Sequence, residues 1–495
     1  MRLLRRLDAR WGLTKAWPIA ASALMYALAF APSNFVLLVF VALTPWWVSL
    51  AKAPNGRAAW RSGYFFGMLF WGFQLFWLVP FISNWTGSIV SGLIPWILCM
   101  FLGANYFGLT AVLIRFCWVR KQAWLIPLVW VGIEVIRSYF PVLAFPWGLL
   151  ATPLAHLPYL IQLAHYGTIY LVGLWVGLFN LLCAWFLVGE RPQTLFRAAM
   201  IFMVGTMASI ALFARPIEGI RTKFTVGQLG TDLAFGDPAT EPDRVRVAAD
   251  AIIGRAKTQG AEFVILSEGI AEGGATLPPA TPFLPPTPPP AILFGGKRGD
   301  GKVFQSAFGF DGEWSYADKT RLVIFGEYVP LRGVLPFLDR FNLPSGDLVP
   351  GERTTPIDLN GVRFGPILCF EALFWDVAFK QQMQGSQVLA VLSLDDWYLG
   401  TQAPAQLNAG SVWRAVETGL PVVRAAALGT TLAVDQRGRV VTQAKLGELT
   451  ALYVELEVER NPERQPWKAW LVAGFALFVP AFWIWSIVRG RREPQ

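Results

Sequence analysis

The chain has 495 residues, 54% of them hydrophobic and only 15% charged, with 23 Trp and a mean hydropathy of +0.45. Soluble domains carry about a quarter charged residues, so an ordinary water-soluble class is excluded. The net charge of +9 does not describe a nucleic-acid surface: residues 215–466 hold 29 acidic and 24 basic residues, while the apolar remainder holds 18 basic residues against Asp8, Glu134, Glu190 and Glu493, and basicity confined to apolar segments makes no stripe for phosphates.

A helix needs roughly 20 apolar residues to cross a bilayer. The charge-poor windows predict eight spans, near residues 17–32, 35–51, 62–82, 89–114, 122–138, 165–188, 198–214 and 469–488. The first also fits a cleaved signal peptide, with Ala29 and Ala31 as small residues near its end. The polar run Ser83–Ser88 is expected to be the turn between spans three and four. Lys and Arg in short loops stay cytoplasmic, and here they alternate. Arg2, Arg5, Arg6, Arg10 and Lys15 precede span one; Lys52, Arg57 and Arg61 follow span two; Arg115, Arg120 and Lys121 follow span four; Arg191 and Arg197 follow span six; Arg489, Arg491 and Arg492 follow span eight. The domains expected are a seven-helix bundle over 1–214, a periplasmic domain over 215–466, and a final helix with a cytoplasmic tail over 467–495. Both ends are then cytoplasmic and 215–466 lies outside, which in a bacterium means the periplasmic side of the inner membrane.

Span five carries Glu134 and Arg137 at i and i+3, one helix face, where unpaired charge in lipid is costly. They are expected to pair, as a structural bolt or as part of a substrate pocket. The following stretch, Phe140–Ala164, contains Pro141, Pro146, Pro153 and Pro158 and suits re-entrant or interfacial backbone.

Within 215–466, short β-branched runs (263–266, 362–368, 388–392, 431–434) alternate with helical patterns (244–257, 410–418), which predicts an α/β domain with buried strands. The Pro-rich run Leu277–Pro290 reads as a surface loop or a lid. Gly296 to Lys302 imitates a phosphate-binding loop, but Val303 replaces the hydroxyl residue that would hold magnesium, so a hairpin turn is predicted. The only histidines, His156 and His165, lie outside this domain, which excludes a Ser-His-Asp triad, a Cys-His pair and a His-ligated zinc there. Cys369 is its only cysteine, while Cys99 and Cys183 fall inside predicted spans and Cys117 just past one.

Glu268, Lys319 and Cys369 each lie at or near the end of a strand-like run. Without histidine, a thiol nucleophile needs a carboxylate base and a fixed cation. Taken singly, Cys369 also reads as a buried small residue, Lys319 as a surface partner of Asp318, and Glu268 as a helix-start acid. Together, Leu266-Ser-Glu-Gly269, Asp318-Lys-Thr-Arg321 running on to Phe325-Gly-Glu-Tyr-Val-Pro330, and Ile367-Leu-Cys-Phe-Glu371 resemble the Glu-Lys-Cys signature of the nitrilase superfamily. With Glu134-Val-Ile-Arg137, Phe145-Pro-Trp147 and Ile161-Gln-Leu-Ala164 in the apolar part, the chain resembles the bacterial apolipoprotein N-acyltransferases.

That resemblance implies an αββα sandwich on an eight-helix bundle and a ping-pong acyl transfer. The donor would be a phospholipid, typically phosphatidylethanolamine, and the acceptor the amine of a diacylglyceryl-cysteine lipoprotein. It makes Cys369 the nucleophile, Glu268 the general base, Lys319 the oxyanion cation, Glu327 a supporting carboxylate and Glu371 an acid beside the nucleophile. Phe370 stands where that family usually has Tyr, and Asp395-Asp-Trp397 replaces its Asn-Asp-Ala/Ser, so Phe370 and Trp397 are candidate pocket residues. Neither metal nor cofactor is expected, nor a nucleic-acid partner; the chain is expected to be a monomer in contact with membrane lipid. A membrane-tethered amidase and an inactive scaffold of the same fold are the alternative readings.

Overall fold

The computed structural model describes residues 13–490 except 142, 190–191, 234–240, 272–278, 280, 284–289, 300, 331 and 333–346. The chain divides into two compact units: one is Phe213–Pro466, and the other is formed by the segments flanking it.

In the flanking unit, helices Ile89–Val119, Ala164–Leu187, Gln193–Phe213 and Trp467–Ile487 are long and apolar enough to cross a membrane. The other predicted spans take different forms. The third stops at Gln74, bends by 53° and resumes as Leu78–Thr86, so the polar residues Ser83–Thr86 are helical and the turn falls at Gly87, whose left-handed φ of 68° ends the helix. The second is broken into the short turn Val36–Phe40 and helix Thr44–Ala51. The fifth is a 14-residue helix, Ile126–Tyr139, about 21 Å long at 1.5 Å per residue and short of a full bilayer core. Helix Ile89–Val119 outruns its predicted end, so Cys117 lies inside it, and Arg115 donates to the Ala53 and Pro54 carbonyls, both at 2.8 Å. Between 140 and 163 the described backbone forms no α-helix, only the short turns Thr152–His156 and Pro158–Leu160, as the prolines predict.

Phe213–Pro466 is the expected α/β domain. Strand β1 is Ile220–Gln228, β2 Phe263–Ile265, β3 Ala291–Arg298, β4 Phe304–Phe310, β5 Trp314–Asp318 and β6 Ile357–Leu359. Next come β7 Val362–Leu368, β8 Val388–Ser393, β9 Val422–Ala426, β10 Leu432–Val434, β11 Val440–Gln443 and β12 Thr450–Val458. They form two six-stranded sheets, ordered β12-β1-β2-β3-β4-β5 and β11-β10-β9-β8-β7-β6. Their central pairs, β1–β2, β2–β3, β7–β8 and β8–β9, are parallel. Strands buried on both faces read as unbroken apolar runs, and β8 and β9 are buried at every position. One core joins both sheets through Phe224, Phe263, Ile265, Phe364, Leu368, Leu392 and Val423, with the Phe263 and Phe364 rings 5.1 Å apart. Helix Glu241–Gln259 covers the outer face of the first sheet, and helices Trp375–Met383 and Ala403–Thr418 pack on the second, completing αββα layers.

Gly296, Lys297 and Arg298 lie within β3 and pair antiparallel with Ser306, Gln305 and Phe304 of β4, so the described part of the phosphate-loop imitation belongs to a hairpin, as expected. Most of the Pro-rich run lies outside the described residues. Of the part that is described, Phe283 is buried against Phe294, 5.5 Å between rings, and is no surface residue.

At the end of β8, Asp395 accepts from Arg424 at 2.7 and 2.8 Å and from the Ser393 hydroxyl at 2.6 Å, with both members of the ion pair fully buried. Removing one partner of such a pair strands the other charge. Arg424→Met is therefore expected to cost about 3–5 kcal/mol, seen as a lowered thermal unfolding midpoint, while adding Asp395→Leu recovers most of the loss.

Candidate active site

Polar groups at the carboxyl ends of strands in an α/β domain face the same edge of the sheets. Here Glu268 follows β2 by three residues, Lys319 directly follows β5, and Cys369 directly follows β7. The fold gathers them. Lys319 Nζ donates to Glu268 Oε1 at 3.3 Å and to Glu327 Oε1 at 2.6 Å. All are buried: Lys319 is 1% exposed, Glu268 3%, Cys369 6% and Glu327 8%. The single-residue readings fail for stated reasons. Asp318 pairs with Arg298 and leaves Lys319 to the interior. Glu268 starts no helix, because Gly269 follows with φ +86°. Cys369 is buried as a small residue would be, but among charges.

Each side chain is held by local backbone chemistry. Lys319 N–H donates to the Gln305 carbonyl at 2.8 Å, and Gly351 N–H donates to the Lys319 carbonyl at 2.7 Å. The segment from Val323 turns back on itself: Glu327 N–H donates to the Val323 carbonyl, and Val323 N–H donates to Glu327 Oε2 at 2.9 Å, so the turn that presents the carboxylate also orients it. Glu371 joins two active-site strand ends. It accepts from Thr320 N–H at 2.7 Å, the Thr320 hydroxyl at 2.8 Å and Arg321 N–H at 3.0 Å, just after Lys319, and from Leu368 N–H at 3.0 Å, just before Cys369. Cys369 itself has φ +47°, a conformation that L residues rarely adopt and that turns its side chain sharply off the end of β7.

The sequence reading missed Gly295. A Cβ there would lie 2.7 Å from the Glu268 Cα, so only glycine lets β3 pass behind that residue. The signal was present in a Gly295-Gly296 pair within a strand, the mark of a close backbone approach. Of the proposed pocket residues, Phe370 packs edge-on against Phe374 at 5.3 Å, and Trp397 is half-buried in the short turn Asp395–Tyr398 after β8.

Glu134 and Arg137 belong to the flanking unit, where the two charges act on each other electrostatically and also serve a loop. Their hydrogen bonds run to one loop instead of to each other. Leu150 N–H donates to Glu134 at 2.7 Å, Arg137 donates to the Phe145 and Trp147 carbonyls, and the Tyr26 hydroxyl donates to the Gly148 carbonyl at 3.0 Å. Buried non-helical backbone needs such partners, so these charges serve the 145–150 loop.

Burial pushes the Cys369 thiol up to about 12, the Glu268 carboxylate adds to the rise and Lys319 opposes it. Burial likewise lifts Glu268 to about 7, with Lys319 lowering it and Glu327 raising it. Burial alone would discharge Lys319, but the carboxylates of Glu268 and Glu327 outweigh it and hold the ammonium well above its ordinary value. The resting arrangement is thus a neutral thiol beside a base poised near neutrality and a permanent cation. It can deprotonate a thiol at the moment of attack and receive a developing oxyanion. Among the described residues no cluster of His, Cys, Asp or Glu is fit to hold a metal.

A model of the apolipoprotein N-acyltransferase N-terminal domain matches residues 22–182, and one of carbon-nitrogen hydrolase matches residues 290–463. A Gloeobacter violaceus protein named apolipoprotein N-acyltransferase is 30% identical over 443 residues, covering 83% of this chain and 82% of its own. One of the same name from Geobacter metallireducens is 28% identical over 463 residues, 85% of each chain. Among solved structures, Nit3 of Saccharomyces cerevisiae, a member of branch 10 of the nitrilase superfamily, aligns with 54% of this chain and 97% of its own at 18% identity and a TM-score of 0.37.

Two outcomes test this geometry. Alkylation of Cys369 by a small reagent should stay slow up to about pH 9, without the inflection of a free thiol near 8.5, as followed by intact mass. Gly295→Ala, which drives Glu268 off its position, should change the pH dependence of that alkylation, because Glu268 acts on the thiol, while the substitution Gly254→Ala, where a Cβ meets nothing within 4 Å, should leave it unchanged.

Proposed function

The chain belongs to the apolipoprotein N-acyltransferase family, and on that premise we propose that it transfers a fatty acyl chain from a phospholipid, through a thioester on Cys369, to the amine of a diacylglyceryl-cysteine lipoprotein. The observation that carries the reading is the buried meeting of Lys319 with Glu268 and Glu327 in the domain that holds Cys369.

The Cys369 thiol passes its proton to Glu268 as its sulfur attacks the ester carbonyl of the donor. Lys319 faces the tetrahedral oxyanion, and Glu327 keeps that ammonium charged and oriented. When the intermediate collapses, the C–O bond breaks, Glu268 returns the proton to the departing alkoxide, and a lysophospholipid leaves. In the second half, the lipoprotein amine attacks the thioester carbonyl and gives a proton to Glu268. The C–S bond breaks, Glu268 protonates the thiolate, and the amide product leaves with the thiol restored. A thioester suits this role because it survives long enough to meet an amine yet stays reactive toward it.

Phosphatidylethanolamine is the proposed donor, and a monomer suffices because Glu268, Lys319 and Cys369 come from one chain. The apolar helices and alternating basic loops support an inner-membrane protein. Within that reading the chain crosses eight times, with some crossings bent or broken, both termini cytoplasmic and residues 215–466 in the periplasm.

Incubation with phosphatidylethanolamine vesicles followed by intact-mass analysis is expected to show one acyl adduct on wild type and none on Cys369→Ala; no wild-type adduct would sink the proposal. Glu268 must be unprotonated to act, so the rate of adduct formation should rise as pH passes upward through about 7 and flatten above. In a strain depleted of its own N-acyltransferase, the wild-type chain should restore N-acylated lipoproteins and Cys369→Ala should not. A phosphatase reporter fused within 215–466 should be active only if that segment is periplasmic, and a reporter fused after Arg120 should be silent.

A further inference from the structure

The hairpin that imitates a phosphate loop contains a residue with no part in the chemistry above. Arg298 ends β3, opposite Phe304 on β4. Its guanidinium forms a two-pronged contact with Asp318, Nε to Oδ1 at 3.1 Å and Nη2 to Oδ2 at 2.7 Å. It also lies over the rings of Phe304 at 4.8 Å and Tyr316 at 4.2 Å. Asp318 accepts a further bond from the Ser306 hydroxyl at 2.6 Å. On the other side of Asp318, the Cα of Gly351 is so close that a Cβ there would lie 2.7 Å from the Asp318 Cβ. Asp318 is the last residue of β5, and the next residue is Lys319.

We infer that Arg298 is a positioning residue for Lys319, acting through Asp318: the clamp fixes the end of β5, and with it the direction in which the Lys319 side chain leaves the sheet. This rests on the proposed role of Lys319 as oxyanion cation. The reasoning is geometric. Among the described residues β5 is an edge strand whose one strand partner is β4, so its end is held from one side by that ladder and otherwise by single backbone bonds, Gly351 N–H to the Lys319 carbonyl and Thr320 N–H to Glu371, to which the Arg298–Asp318 clamp adds a side-chain anchor. A long, flexible ammonium is useful only if its root is fixed, because a displacement near 1 Å at a reacting centre costs on the order of a hundredfold in rate. The planar guanidinium supplies two parallel bonds and a stacking surface that a lysine does not. The groups facing Glu268, the base whose titration reports on this arrangement, are Lys319, Glu327, Glu371 and Cys369. Lys319 is the only cation among them, so loosening it leaves Glu268 among like charges.

The test compares wild type with Arg298→Ala and Arg298→Lys, reading adduct formation from phosphatidylethanolamine vesicles across pH together with the thermal midpoint. Arg298→Ala is expected to slow adduct formation by on the order of tenfold to a hundredfold, to move the pH midpoint upward, and to change the half-saturating lipid concentration little. Arg298→Lys should recover only part of the rate. A pH-independent loss that tracks a fall in thermal midpoint would mean a merely structural residue and overturn the inference, as would an unchanged rate. A second arm needs no acyl transfer: alkylation of Cys369 should be slower in Arg298→Ala than in wild type, yet equal in Lys319→Ala and the double variant. If wild type forms no adduct, the reaction proposed above fails, and this arm still decides whether Arg298 acts through Lys319.

Discussion

An ammonium buried at 1% exposure can persist only with negative charge around it. Lys319 sits between Glu268 and Glu327, and most of what is distinctive in the domain keeps that group assembled. The carboxylates come from different places, one from the end of a central strand and one from a turn that folds back on itself. Burial, reinforced by the neighbouring carboxylates and opposed by the lysine, lifts Glu268 to about 7 and leaves the neighbouring thiol protonated at rest. A site of this kind holds its nucleophile in a safe form until substrate arrives, because the protonated thiol is the less readily oxidised one.

Much of the domain was legible in the sequence because buried parallel strands must be apolar throughout. The runs at 362–368 and 388–392 became β7 and β8 almost residue for residue. The strand ends were legible too, since polar residues that close an apolar run have few other uses. What local pattern does not carry is pairing between distant segments. Nothing near Asp395 announces Arg424, and nothing near Glu268 announces Gly295, because those contacts exist only once β8 lies beside β9 and β2 beside β3.

The flanking unit shows where a composition-based count of spans loses detail. Hydropathy finds apolar segments but not their breaks. The bend after Gln74 and the division around 41–43 fall among apolar residues. The Pro-rich stretch after Tyr139 was readable because proline removes a donor whatever surrounds it. The companion expectation, that Glu134 and Arg137 pair, held for their charges but did not foresee that their hydrogen bonds go to the non-helical backbone of the 145–150 loop.

Strands β1 and β12, the first and last of the αββα domain, are direct antiparallel neighbours, with Ile220 opposite Val458. The chain therefore enters and leaves this domain side by side. A module whose ends meet can be spliced into a short connection between two helices without prising them apart, and it can fold by closing on its own termini. The pairing makes the domain a self-contained insert, transplantable in principle between host loops, and places the seam of that transplant on the β1–β12 ladder.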